Sequence, residues 1–452
     1  MAAFVRRSLN RIASAPLAVL VTLVVGCAGA GSAAPPRTPA ADKWFKRAQQ
    51  DYGEVRIDEA HEALEKALSL APQDEEIRLL GGRIALARLE YGESLQMLRD
   101  LPGSEAHGLR GRAHWYNGDL GPAADELEAM LEDPDVRDDW AKSIASLSRI
   151  GEARAPFTTS GARVAAVEMA HVSPVAPYLV IPVEIDGEQA LAMLSTGIAE
   201  VVIDSSSRAE PSWVSIRFGG TLEVSDVPAL SQDLTGISKE LNAPIKALIG
   251  VNLLRHVNAT IDYAGHQFVA RAYAPPPPPN ATRVDLFYAR GGGMMVSTPL
   301  GANADSRAAL FVDSSMRYPL ALDERGWLKA GVSPNDLKPV EGDPDHKLKQ
   351  GVVPLMRFGA FDVHGIPAVL GAPIPDIEKG LRFDIDGVIG SPMLAQYRIT
   401  LADGGRMMWV EDDSAVRALL SEPQDDLSDP VPGPELGPGG RPMQLGQPGA
   451  AP

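Results

Sequence analysis

The stretch between Tyr178 and Val410 is written twice, and that repetition limits the possible folds more than any other feature of the chain. Leu194-Ser195-Thr196-Gly197, followed by Leu248-Ile249-Gly250, is answered by Val312-Asp313-Ser314-Ser315, followed by Val388-Ile389-Gly390. Arg217-Phe218-Gly219 and Arg357-Phe358-Gly359 stand 140 positions apart, as do Ile249-Gly250 and Ile389-Gly390, and Thr260 and Thr400. A constant offset over so long a span marks an internal duplication. Both copies alternate apolar and polar residues between Gly- and Pro-marked turns, as in Leu179-Val180-Ile181-Pro182-Val183-Glu184-Ile185. That is the pattern of half-buried strands, so the duplication predicts two similar β-rich lobes.

In its order of apolar strand, polar triplet and later apolar-apolar-Gly signature, the doubled unit resembles the aspartic peptidases of retropepsin and pepsin type. The resemblance implies one Asp-Thr/Ser-Gly triplet on a turn of each lobe, facing a shared cleft. Both later signatures are kept, but the triplets are degenerate. Ser195 stands where one catalytic Asp belongs, ahead of an intact Thr196 and Gly197. Asp313 and Ser314 fit the second triplet, whereas Ser315 replaces its Gly. The family's chemistry needs two facing carboxylates that share one proton, because like charges so close cannot both ionise. One activates a water and the other polarises the scissile carbonyl. A serine hydroxyl does neither near neutral pH without a base beside it. Asp313 would then stand alone, and Ser315 would lack the backbone freedom of a glycine. In a rival register, Ile203-Asp204-Ser205-Ser206 would restore an acid to the first copy. However, Val201 to Asp204 follows Ser195 as Leu320 to Asp323 follows Asp313, so Asp204 and Asp323 read as caps of short helical segments.

The other parts of the chain carry different signals. Residues 1–26 read as an export signal, with Arg6, Arg7 and Arg11 ahead of an apolar run too short for a membrane span. Val24-Val25-Gly26-Cys27 resembles the lipobox of bacterial lipoproteins. That implies a lipidated Cys27 as first residue of the mature chain and, with Ala28 after it, an outer-membrane anchor facing the periplasm. Cys27 is the only cysteine, so no disulfide framework exists. Residues 27–41 read as a tether. Over 42–150, Ala60, Leu64 and Ala67 recur as Ser94, Leu98 and Leu101 at a spacing of 34, and Ala123, Leu127 and Met130 form a shortened third unit. This spacing resembles tetratricopeptide (TPR) repeats. Two roles stay open for them, a concave peptide-binding surface or a spacer packed on its neighbour. A linker is expected over Gly151 to Gly161, the first lobe over 162–273, a proline spacer over 274–280 and the second lobe over 281–413. The polar segment from Arg325 to Gln350 reads as an insertion over or beside the cleft. The Pro/Gly-rich tail, 421–452, is expected to be disordered.

The expected architecture is therefore α+β and multidomain, with an N-terminal α-helical TPR-like module followed by two β-rich lobes. A net charge of −17 with no basic aromatic patch argues against nucleic acid as a partner. The eight histidines are dispersed and no HExxH occurs, so no metal and no other cofactor is expected. Gly291-Gly292-Gly293 lacks the Lys-Ser/Thr of a phosphate loop and reads as a turn. Two functions remain open. One is an envelope lipoprotein that binds peptides or partner proteins through its repeats and an impaired cleft. The other is an active aspartic endopeptidase using Asp313.

Overall fold

The computed structural model describes residues 37–172, 177–303, 306–341 and 347–412; the export signal, Cys27 and the 421–452 tail lie outside these. Seven helices come first: α1 (Pro39–Gly53), α2 (Ile57–Leu70), α3 (Glu75–Ala87), α4 (Tyr91–Leu98), α5 (Ser104–Asn117), α6 (Leu120–Leu131) and α7 (Asp139–Ile150). The first begins inside the expected tether, because Thr38 caps it by accepting the Ala41 N–H at 3.2 Å. Ala48 and Leu64, Gly82 and Leu98, and Gly111 and Leu127 occupy the same places in successive helical pairs. A Cβ on Gly82 would lie 2.5 Å from the Leu98 side chain, and one on Gly111 2.6 Å from that of Leu127. Small residues at these points let the helices of a pair approach closely. The turns within the three helical pairs α1–α2, α3–α4 and α5–α6 each place one residue in left-handed backbone, Val55, Leu89 and Gly118, with φ of 54°, 61° and 84°. Among the described residues, no helix is long and apolar enough to cross a membrane.

Two β units follow, built on one plan. In the first, Leu222–Gln232, Val201–Asp204, Ile245–Gly250, Glu188–Ser195, Val180–Ile185 and Ser212–Phe218 lie side by side, and the last pairs again with the first to close a ring. In the second, Phe361–Leu370, Leu320–Leu322, Gly387–Gly390, Arg307–Asp313 and Gly293–Pro299 repeat that order. Lys349–Phe358 completes it, and a single bridge from Leu300 to Met356 brings the ring together. Strand directions agree as well. Glu188–Ser195 runs parallel to Ile245–Gly250 as Arg307–Asp313 does to Gly387–Gly390. Phe218 and Phe358 are buried in their units, each followed by a turn glycine of positive φ, Gly219 or Gly359.

A six-stranded sheet joins the units, in the order Thr282–Asp285, Met407–Asp412, Tyr397–Ala402, Thr260–Asp262, Gln267–Arg271, Val164–Glu168. Its centre is the antiparallel pairing of Thr260 with Thr400, whose hydroxyls are 2.8 Å apart. The residues separated by 140 positions thus meet on the axis relating the two halves. Pro275 to Pro279 carry no strand or helix and lead from one half to the other.

Three expectations change. The linker over 151–161 ends early, because Thr158–Gly161 pairs antiparallel with Leu222–Gln232. Asp323 does cap a helix, Glu324–Lys329, accepting the Gly326 N–H at 2.7 Å. Asp204 instead ends a strand and turns its carboxylate to Lys246 Nζ, at 2.8 Å, and to the Leu234 N–H, at 3.2 Å. The inserted segment after Arg325 is anchored in the second unit, where Trp327 is fully buried beneath Leu337 and Gly351.

The helices are not a separate body. Phe45, Ile77 and Ile84 share a core with Ala289, Met295 and Phe311 of the second β unit. Trp115 and Tyr116 share another with α6 and α7, against which Trp213 and Leu230 of the first unit pack. Trp213 donates its indole N–H to Leu147 O at 3.0 Å, and Trp115 donates to the buried Glu200 carboxylate at 3.2 Å. The face shared by α1, α3 and α5 therefore rests on the β units.

Candidate functional site

The two triplets sit on loops at the ends of Glu188–Ser195 and Arg307–Asp313, and a reciprocal set of hydrogen bonds locks them together. Thr196 Oγ1 donates to Val312 O at 2.8 Å and accepts the Ser314 N–H at 2.9 Å. Ser314 Oγ donates to Leu194 O at 3.1 Å and accepts the Thr196 N–H at 3.1 Å. Thr196 and Ser314 are both buried, so each bond replaces one that water cannot supply.

The later signatures hold these loops from behind. In register, Ser195 pairs with Gly250 and Asp313 with Gly390. The chain after each triplet crosses over its glycine: a Cβ on Gly250 would lie 2.2 Å from Glu200 O, and one on Gly390 2.0 Å from Tyr318 O. Val251 N–H donates to Ile198 O at 2.9 Å, and Ser391 N–H to Met316 O at 2.9 Å, completing the same bracket twice. An apolar-apolar-Gly run is what this crossing requires: two buried strand residues, then a position with no side chain.

Asp313 is half-buried, and its carboxyl lies directly on Gly197, where an added Cβ would be 2.5 Å from Asp313 Cγ. Its Oδ1 accepts the Ser315 N–H at 2.8 Å and the Ser315 hydroxyl. Burial pushes its pKa above the usual carboxylate range, against the opposing pull of the two Ser315 hydrogen bonds. Among the described residues no second carboxylate contributes to that shift. Ser195 is buried on the matching loop. The loss of glycine at 315 costs no backbone strain, because Ser315 does not adopt left-handed backbone. Its hydroxyl instead becomes a donor to the remaining acid.

Sequence reading missed the neighbours of this centre. Tyr178 is half-buried, and its phenol is pushed up by burial and by Glu240, with Asp313 adding to the rise and Arg317 opposing it. Ser391, just past the second signature, donates its hydroxyl at 2.5 Å to Pro177 O, pinning the chain before Tyr178. Neither residue belongs to the triplets or to the apolar-apolar-Gly signatures that the duplication marks. The rival Asp204 is committed to Lys246 and Ser206, which hold its pKa down at about 2. Among the described residues, no three His, Cys, Asp or Glu side chains converge as metal ligands would. Chemically, the site offers one readily protonated acid, three hydroxyls and a rigid frame. Such groups can hold a carbonyl or a water, and among the described residues no second carboxylate acts on Asp313.

No protein-family model matches this chain, and no curated protein does. Among solved structures, the Arabidopsis OM64 TPR domain matches at 16% identity with a TM-score of 0.23, covering 25% of this chain and 95% of that chain.

Proposed function

We propose that the chain is a lipid-anchored protein of the bacterial envelope, facing the periplasm of the outer membrane through Cys27. In this reading its paired β units form an aspartic-peptidase-like cleft that holds an extended peptide or a partner-protein segment without cutting it. The observation that carries the reading is the solitary Asp313, with Ser195 on the matching loop and no second carboxylate acting on it. The intact Thr196–Ser314 frame supports a cleft kept for binding, since a site losing all function has no need of it. An extended peptide suits such a cleft because its backbone can pair with strand edges. The repeats serve as a support fixed to both units, and any partner protein they engage would use surfaces the β units leave uncovered.

The test uses residues 28–452, without the export signal and Cys27, with a mixed peptide library from acid to neutral pH. Retention of peptides without cleavage, and weak binding of the class inhibitor pepstatin, is the expected result. Pepstatin-sensitive cleavage that Asp313→Asn abolishes would make the chain an active endopeptidase and overturn the reading. In cells, Cys27→Ser should leave the precursor unlipidated and unprocessed; normal processing and membrane partition would remove the anchor from the proposal.

A further inference from the structure

Where the helical module meets the second β unit, a cavity of about 330 Å³ opens between α1, α3, α5 and the loops carrying Arg290 and Arg382. Its lining mixes Arg83, Glu105, Arg290 and Arg382 with the apolar Leu109, Met130 and Val136. Behind them Arg112 lies buried, its guanidinium 3.6 Å over the Trp140 ring.

The cations here outnumber their partners. Arg83 is taken by Glu105, through Nε at 2.9 Å. Arg112 and Arg290 must share Asp138, each 3.6 Å from the same Oδ2, too far for a hydrogen bond. Asp138 also caps α7, with its other oxygen on the Ala141 N–H. Arg382 forms no ion pair among the described residues. Arg112 also feels the buried Glu200, so four guanidinium groups face three carboxylates, in a chain whose net charge is −17. Burial, then the neighbouring Arg112 and Arg382, pull the Arg290 pKa down to about 9. A guanidinium so placed is short of negative charge and of hydrogen-bond acceptors.

From the cavity, its excess of guanidinium groups and its apolar wall, we propose a binding site for a small organic anion, a carboxylate or phosphate carried on a compact aliphatic body. The anion would sit between Arg290 and Arg382, where planar donors suit two-point recognition of such groups. Its aliphatic part would lie on Leu109, Met130 and Val136. The volume is that of a small-molecule site rather than a macromolecular groove. Because the lining comes from both the helices and the second β unit, a bound anion would also tie those parts together. The site is separate from the cleft and does not depend on how the cleft functions.

The test titrates residues 28–452, without the export signal and Cys27, with hexanoate and, separately, with inorganic phosphate, by calorimetry and by thermal shift. Hexanoate should bind and raise the melting temperature. Arg290→Gln and Arg382→Gln should each weaken it by about tenfold or more, the size expected when one charged hydrogen-bond donor is lost. Arg149→Gln, on the exposed side of α7, should leave it unchanged. Arg382 is exposed and forms no ion pair, so its variant keeps the test valid if Arg290→Gln misfolds. No binding of either anion at millimolar concentration would overturn the proposal. Unchanged affinity in Arg382→Gln would overturn the placement, and binding of phosphate but not hexanoate would overturn the organic ligand.

Discussion

A methyl group on Gly197 would stand 2.5 Å from the Asp313 carboxyl carbon, so the glycine of one triplet makes room for the acid of the other. The pseudo-twofold through Thr260 and Thr400 implies the reverse relation, in which the residue at 315 makes room for the one at 195. Ser195 is shorter than Asp, and Ser315 carries a side chain where glycine would have none. In the proposed reading these two changes offset each other in volume. Ser195→Asp alone should cost about 1–3 kcal/mol through overpacking, read as a fall in the denaturation midpoint. Ser195→Asp with Ser315→Gly should recover most of that loss and raise any residual peptide cleavage. If the single change costs nothing, the compensation argument is wrong. Asp313 itself carries a pH signature. Its pKa is raised in the fold, so the native state loses stability as pH rises through the ordinary carboxylate range toward the folded value. Asn cannot ionise yet keeps an acceptor for Ser315. Asp313→Asn should therefore melt a few degrees higher at neutral pH and equal the parent below the unfolded pKa of the acid, near 3.8. A variant less stable at neutral pH would show that the carboxylate has a charge partner not yet identified.

At the level of elements, the loops hold their shape through Thr196 Oγ1, which serves Val312 O and the Ser314 N–H together. Thr196→Val keeps the volume and removes both bonds, leaving two buried backbone groups without partners. Each should cost about 1–3 kcal/mol, seen as a lower urea midpoint with unchanged slope, and Thr196→Ser should restore it. Equal stability of Val and Thr here would mean that water or another group enters the loop junction. This frame was largely legible in the sequence. Strand order follows from apolar runs and glycine positions, and a duplication supplies each signal twice, so Gly250 and Gly390 identified each other. Elements without a copy were harder to see. Thr158–Gly161 has no apolar alternation and becomes a strand only because the edge of Leu222–Gln232 needs pairing. Asp204 sits before turn residues as a cap would, yet Lys246, distant in sequence, claims it. Tyr178 carries no motif and comes near Asp313 only through the fold.

For the whole molecule, the sequence left open whether the repeats stand off as a binding surface or pack as a spacer, because periodicity within helices does not reveal what covers their outer faces. Packing against both β units answers the geometric part of that question. Trp213 is the clearest junction: its ring lies against Gly151, where an added Cβ would be 2.2 Å away, and within 6.4 Å of the Trp115 ring. Its indole N–H bonds the end of α7 through Leu147 O, while Trp115 reaches back to Glu200 beside the first triplet loop. Contacts this apolar and this buried should make the helices and the β units unfold as one cooperative body. Thermal melts of the soluble chain, followed at 222 nm for helix and by near-ultraviolet dichroism for tertiary packing, are expected to coincide. Trp213 is half-buried, so Trp213→Ala should cost less than a fully buried aromatic, about 2–3 kcal/mol, and pull the two curves apart by freeing the α7 end of the module. Two separate transitions in the parent chain would mean that the junction is too weak to couple them and that the repeats behave as an independent domain.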